Sequence, residues 1–170
     1  MQAKYIPYQE TNAFSAVVLD YISGKDQLKS FYKYSPDFSG FNEAIKNRNF
    51  NGDRAVLVKT LQQQYALVKA PAPVVENISL LQDGKTFTIT TGHQLNIFTG
   101  PLYFIYKIVT AINLAKELKE KFPEYNFVPV YWMATEDHDF EEINHVKIED
   151  KTLTWNKQAA GATGRLDTTD

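Results

Sequence analysis

Four consecutive residues, Glu136-Asp137-His138-Asp139, set three carboxylates and an imidazole side by side. Like charges this close repel one another unless they are solvated, hydrogen-bonded, or turned toward a cation or an amine. Acids in the first turn of a helix beginning near Asp137 would complement its dipole, which accounts for one or two of them but not all four. The remainder suits a ligand role. A metal is the sharper alternative. On a helix over 137–145, His138, Glu141 or Glu142, and His145 would share a face, yet i to i+7 spans about 10 Å along the axis. That is too far for two ligands of one ion, so zinc is not expected from this set. A Mg²⁺ carried by a nucleotide and touched by one acid fits better.

A second candidate is the stretch Thr91 to Tyr103, a loop bracketed by Gly92 and Gly100. Gly100-Pro101 predicts a helix start with the proline at its first position, where a missing N–H costs nothing. The Thr99 hydroxyl can cap the free amides there, and such a terminus attracts phosphate or carboxylate. His93 stands where imidazole can stabilise charge on a phosphate or leaving group. Gln94 offers a further polar contact, and Lys107 can reach back toward an anion. The spacing matches neither the dinucleotide G-x-G-x-x-G nor the phosphate loop G-x-x-x-x-G-K-[ST].

Both loops need elements to hold them. Thr86 to Thr91 alternates polar and apolar residues, which predicts a strand. From Leu102 the apolar residues return to helical spacing, with Lys116, Lys119 and Lys121 in the last turns and Pro123 beyond. Phe127 to Ala134 is an apolar run of the kind buried in parallel sheets, with Trp132 read as core; Pro129 places the start of the regular strand there or just after it. Strand, helix, strand makes a βαβ unit, expected to cross over right-handed. Two polar loops at the ends of successive parallel strands predict one shared pocket. Val146–Trp155 predicts a short hairpin, and the small, polar end from Gln158 predicts no element.

Upstream, residues 1–84 read as a helical region. Asn12 is a candidate cap for a helix ending near Gly24, a second helix covers 40–49, and a third runs from Asp53 to Lys69, stopped by Pro71. A further apolar segment, 74–81, closes at Asp83-Gly84. Residues 85–170 then begin an α/β core. So few parallel strands leave a sheet with uncovered faces and edges, so the chain is expected to be a fragment of a longer protein.

Composition narrows the function classes. The 170 residues are 44% hydrophobic and 22% charged, as in ordinary globular domains, with a formal net charge of −2. That balance gives no electrostatic case for nucleic acid or an anionic membrane. Cysteine is absent, which removes disulfides, a thiolate nucleophile and Cys-based zinc sites. With no leader-like N-terminus and no apolar run near 18 residues, the expected location is cytoplasmic and away from membrane. The 14% aromatic content is high, and Tyr5, Tyr8, Tyr32 and Tyr34 look exposed, which favours an assembly surface.

The motifs Thr91-Gly-His-Gln-x-x-x-Phe-Thr-Gly-Pro-Leu-Tyr103, Tyr106-Lys107, Pro129-Val-Tyr-Trp132 and Glu136-Asp-His-Asp-Phe-Glu-Glu-x-Asn-His145 together resemble the bacillithiol biosynthesis cysteine-adding enzyme family. Ile6-Pro7, Asp20-Tyr21 and Phe31-Tyr32 resemble it too. The resemblance covers nearly the whole chain and implies the N-terminal portion of a longer enzyme. It implies an α/β, Rossmann-like, nucleotidyltransferase-type parallel sheet, partial here and preceded by the helical N-terminal region. The implied reaction is that of a ligase joining cysteine to the amino group of glucosaminyl malate, with the isolated fragment inactive. Carried over residue by residue, Asp137, His138, Asp139 and His93 take catalytic roles, and Gly92, Gln94, Thr99, Gly100, Tyr103 and Asn144 bind substrate. The resemblance implies Gln at position 93 in some family members, which suits a hydrogen-bonding role for His93. The implied partners are cysteine and glucosaminyl malate, with a homodimer in the full-length protein. The cofactor stays open, ATP or ADP with Mg²⁺ being the candidate. Two other readings remain: a non-catalytic binding or assembly module, and a nucleotidyltransferase acting on another substrate.

Overall fold

A computed structural model describes residues 4–97 and 100–169. The chain divides into two compact units, Met1–Gly52 and Asp53–Asp170. In the first, a 3₁₀ turn (Tyr8–Glu10) leads to helix α1 (Ala16–Ile22), a 3₁₀ segment (Asp26–Phe31) and helix α2 (Phe38–Asn47). Asn12 does not cap α1: its φ is +53°, and Ser15 holds the cap position. Short polar side chains such as Asn tolerate this left-handed conformation, so Asn12 turns the chain instead of starting the helix. The cap of α2 is Asp37, whose carboxylate accepts from the Gly40 amide at 2.9 Å. Tyr32 and Tyr34 are half-buried rather than exposed, Tyr32 lying edge-on to Tyr21 at 5.1 Å, whereas Tyr5 and Tyr8 are open to solvent.

The second unit begins with helix α3 (Arg54–Tyr65), capped by Asp53, whose carboxylate takes the amides of Ala55 and Val56. It ends four residues before Lys69, in a turn that takes Val68 off the helix face. Helix α4 (Ala72–Leu80) follows Pro71. Strand β1 (Thr86–His93), helix α5 (Leu102–Lys121) and strand β2 (Asn126–Met133) form the predicted strand-helix-strand unit, with β1 and β2 parallel and paired from Thr86 with Asn126 to His93 with Met133. Strand β2 starts three residues before Pro129, which pairs with Ile89 inside the ladder. A two-stranded sheet leaves one side of β2 open, and a proline whose nitrogen faces that side forfeits no ladder bond.

Both faces of this sheet carry helices, because side chains alternate along each strand. Val128, with Val130 beside it, packs with Val58, Ile78 and Leu81 of the α3–α4 pair. Tyr131, on the other face, meets Phe104 of α5 edge-on at 5.4 Å, and Ala111, Ala115 and Leu118 are the buried stripe of that helix. The helices α3 and α4, grouped by sequence with the N-terminal helical region, thus share a compact unit and a core with the sheet. Arg54 joins the layers: its guanidinium donates to the carbonyls of Leu81 (2.9 Å) and Thr86 (3.2 Å). At the far end of α5, Lys119 donates to the carbonyls of Pro123 and Tyr125, turning the expected helix-dipole role into specific bonds that close the turn into β2.

The hairpin is present as strands β3 (His145–Ile148) and β4 (Lys151–Thr154), antiparallel, with Glu149 at φ +53° in the turn. Residues 137–144 form no helix, only turns and irregular chain. The end of the chain does carry an element, a 3₁₀ turn at Thr163–Arg165 with Thr163 buried. No helix among the described residues is long and apolar enough to cross a membrane.

Candidate functional site

Strands β1 and β2 run parallel and end in register, so the loops that follow them leave from the same edge of the sheet. This is the carboxyl edge, where open α/β sheets place ligands. The first loop, after His93, returns to the sheet through α5. The second runs from Ala134 to Asn144, where β3 begins.

His93 closes β1, and its ring is held on both sides. Nδ1 lies 3.1 Å from the Gln94 carbonyl and 3.3 Å from the Asn96 side-chain amide, and Nε2 lies 2.9 Å from the Tyr103 hydroxyl. The ring lies 5.4 Å from that of Tyr103 and edge-on to Phe104 at 5.7 Å. Tyr131 donates its hydroxyl to the His93 carbonyl, and burial pushes the Tyr131 phenol up, which keeps it a donor. A Cβ on Gly92 would come 3.0 Å from the Trp132 carbonyl, and the Gly92 carbonyl takes the Lys107 ammonium. Lys107 therefore faces the strand end. Gly100 has φ +62°, and the Asn96 side chain occupies the space its Cβ would need, 2.6 Å away. The cap of α5 is Pro101 in extended conformation, one position earlier than its predicted place in the first turn. Thr99 lies outside the described residues.

In the second loop, the Asp137 carboxylate accepts from the Asp139 amide at 2.9 Å, a local turn that replaces the expected helix. Acidic side chains bonded to backbone in this way compete with helix formation, and here they win. His138 and Asp139 are exposed; with no helix here, His138, Glu141 or Glu142, and His145 share no helical face, and no group of three or more potential ligands converges among the described residues. Trp132 is exposed rather than core, its indole donating to Glu136 at 3.0 Å, because β2 runs out beyond its covering helices at this edge. Asn144 accepts the Trp155 amide on its carbonyl and presents its side-chain oxygen to His145, so it fastens the hairpin to the loop.

The two loops touch through Gln94, whose side-chain amide donates to the carboxylate of Glu142. Gln94 is only 5% exposed. This contact divides what sequence predicts as one pocket into two adjoining clefts. One, of about 650 Å³, lies between Asn96, Gly100 and Pro101 on one side and His145 and Lys147 on the other. The second, of about 670 Å³, lies between Gln94, the run Asp137 to Glu142, and Lys157-Gln158-Ala159. Glu142 borders both. The first cleft sets an imidazole and an ammonium, with the Glu142 carboxylate beside them, opposite a helix start that favours an anion; the second is chiefly acidic, a setting for an amine or a cation.

Sequence reasoning brings Gly100 to the first cleft and Gln94, Asp137, His138 and Asp139 to the second. His93 and Tyr103 form a pair behind the first loop and line neither of them. Three contributors were missed. Sequence offers Glu142 only as a metal ligand and Gln158 and Ala159 only as tail, and it does not single out Lys157. Thr163 and Gly164 form a backstop: Thr163 donates both its amide (2.7 Å) and its hydroxyl (2.9 Å) to the Asp137 carbonyl, and Gly164 donates to that of Thr135 at 2.9 Å. The one available signal was the small-residue run Ala159–Gly164, since small residues mark close backbone approach.

Comparison with known proteins adds the family. The model described as "Bacillithiol biosynthesis BshC, N-terminal Rossmann-like domain" matches residues 1–170. A protein named "Putative cysteine ligase BshC" from Flavobacterium psychrophilum is 54% identical over 99% of this chain and 32% of its own length. Proteins of the same name from Flavobacterium johnsoniae and Bacillus cereus are 52% and 37% identical, over 99% and 76% of the chain and 32% and 24% of their own lengths. The chain spans about a third of the length of the most similar of these curated relatives. With a parallel β1–β2 pair, helices on both faces and two polar loops at its carboxyl edge, this chain belongs to the BshC N-terminal Rossmann-like domain family of bacillithiol biosynthesis.

Proposed function

We propose that the chain is the N-terminal portion of a cysteine ligase, which adds cysteine to the amino group of glucosaminyl malate. The observation that carries this reading is the pair of adjoining clefts at the carboxyl edge of β1 and β2, one beside a helix start and one chiefly acidic, which meet at Gln94 and Glu142. Joining an amine to an activated carboxyl needs a base for the amine proton and donors for charge on the carbonyl or leaving group. Asp137 or Asp139 accepts the proton as the amine nitrogen attacks; the C–N bond forms and the leaving group departs with its electron pair. His138 orients the incoming amine. Donors around Gly100 stabilise the developing negative charge, His93 and Tyr103 brace the first loop from behind, and Asn144 holds the hairpin that closes the first cleft. The nucleotidyltransferase-type relation, the use of ATP or ADP with Mg²⁺, and the cytoplasmic setting belong to the same proposal. So does the expectation that this portion is inactive alone.

The test uses the full-length ligase. Asp137→Asn and His138→Ala should each lower bacillithiol formation while the thermal midpoint stays within a few degrees of wild type. Unchanged formation in both variants would sink the proposal. Calorimetric titration with ATP, cysteine and glucosaminyl malate separates this reading from a nucleotidyltransferase with another substrate.

A second reading, an assembly surface including a homodimer contact, draws on the apolar residues that α5 leaves exposed: Leu102, Ile105, Tyr106 and Val109. Concentration-dependent sedimentation with no small-molecule binding would favour it.

A further inference from the structure

Gln94 and Glu142 are 48 positions apart, and their contact joins the two loops directly. Gln94 is nine-tenths buried, so its side chain is spent inside the protein. Its backbone carbonyl meanwhile meets His93 Nδ1 and accepts from the Asn96 amide. One residue thus collects the second loop through its side chain and the His93 ring through its main chain. From Glu142 the bonds run to the Gln94 amide, from the Gln94 carbonyl to the imidazole, and from the imidazole to the Tyr103 hydroxyl.

We propose that Glu142 is a positioning residue: through Gln94 it clamps the second loop to the first, keeps the two clefts apart, and holds His93 on Tyr103. The physical reason is the asymmetry of buried polar groups. A buried amide that loses its acceptor must be resolvated by water entering along the clefts that Gln94 and Glu142 wall, and that water replaces the direct bond between the loops. Opening there merges the clefts and frees the His93 ring together with the Gln94 backbone. Glu142 itself sits on an exposed stretch and packs little, so its effect runs through the bond. The functional part of this inference rests on the clefts forming a ligase site; the clamp itself does not.

The experiment uses full-length ligase carrying Glu142→Ala, Glu142→Gln, Gln94→Leu and the double variant Gln94→Leu/Glu142→Ala. Amide hydrogen exchange over 136–143 should speed up about tenfold or more in Glu142→Ala, with β1 and β2 amides unchanged. Turnover should fall about tenfold in kcat with KM within about twofold. Glu142→Gln keeps an acceptor oxygen at the same reach and should restore both readouts to within about threefold of wild type. The double variant should lose no more than the worse single one, as coupled partners do. Unchanged exchange in Glu142→Ala, or fully additive losses, would overturn the clamp. Glu142→Gln as impaired as Glu142→Ala with normal exchange would also overturn it, by making the charge itself the active feature. Because Glu142 is exposed, its variants decide the matter even where Gln94→Leu does not fold. Asp137→Asn and His138→Ala run alongside: intact turnover in both rejects the ligase site, while exchange still judges the clamp.

Discussion

Replacing Gly164 by alanine tests the backstop behind Asp137. A Cβ at Gly164 would stand 2.6 Å from the Thr135 Cβ and 2.9 Å from the Thr135 carbonyl oxygen. Carbon contacts settle near 3.5–4.0 Å, so the turn must retreat by about 1 Å, since one of the two obstacles is backbone. Overpacking of this kind costs about 1–3 kcal/mol. Retreat also lengthens the Gly164-to-Thr135 bond and the two Thr163 donations to Asp137, and losing one such bond adds about 1 kcal/mol. Against this, alanine restricts the unfolded chain and returns about 0.4–1 kcal/mol, because the φ of Gly164 is not in the left-handed region. The steric term wins, and the net expectation is a loss of about 1–3 kcal/mol. Gly84→Ala is the matched control: nothing lies within 4 Å of its Cβ position and its φ is ordinary, so only the unfolded-state gain applies. Urea denaturation followed by far-UV circular dichroism should place the Gly164→Ala midpoint about 1 M below that of Gly84→Ala, with equal slopes. Midpoints that coincide would show that residues 163–165 do not press on the second loop, and the reasoning for a built backstop would fail.

Arg54→Met should destabilise the protein by about 1.5–3 kcal/mol in the same assay, since it removes charge-assisted donors from the Leu81 and Thr86 carbonyls, and Arg54→Lys should not restore it because one ammonium does not reproduce the guanidinium fork. Leu118→Ala opens a void under α5 at a fully buried position and should cost about 2–5 kcal/mol, read as a lower thermal midpoint. The Asp37 carboxylate is held below its usual range, first by the Gly40 amide and then by the Ser35 hydroxyl. A depressed folded value means its contribution is complete above the unfolded value near pH 4 and is lost as pH falls through the folded one. Its side-chain resonance should therefore titrate below that of an unstructured Asp, and Asp37→Asn should flatten the acid limb of the stability curve for α2.

Sequence alone determined β1, α5, β2 and the β3–β4 hairpin, because each is written in a local period: alternation over Thr86–Thr91, helical spacing from Leu102, and the apolar run from Phe127. It also determined where the polar loops lie, since a charged run directly after an apolar strand leaves the sheet at its edge. Local rules failed where side-chain competition or burial decided the outcome. Asp137 bonded the Asp139 amide and stopped a helix, and Trp132 came out exposed where β2 outruns its covering helices. The tertiary structure alone decided that Gln94 meets Glu142, that Thr163 meets Asp137 across 26 positions, and that one expected pocket is two clefts. The physical reason is that a backbone period belongs to neighbours in the chain. A hydrogen bond between distant polar side chains exists only after the apolar layers have brought their loops together, and a sequence window carries no mark of it.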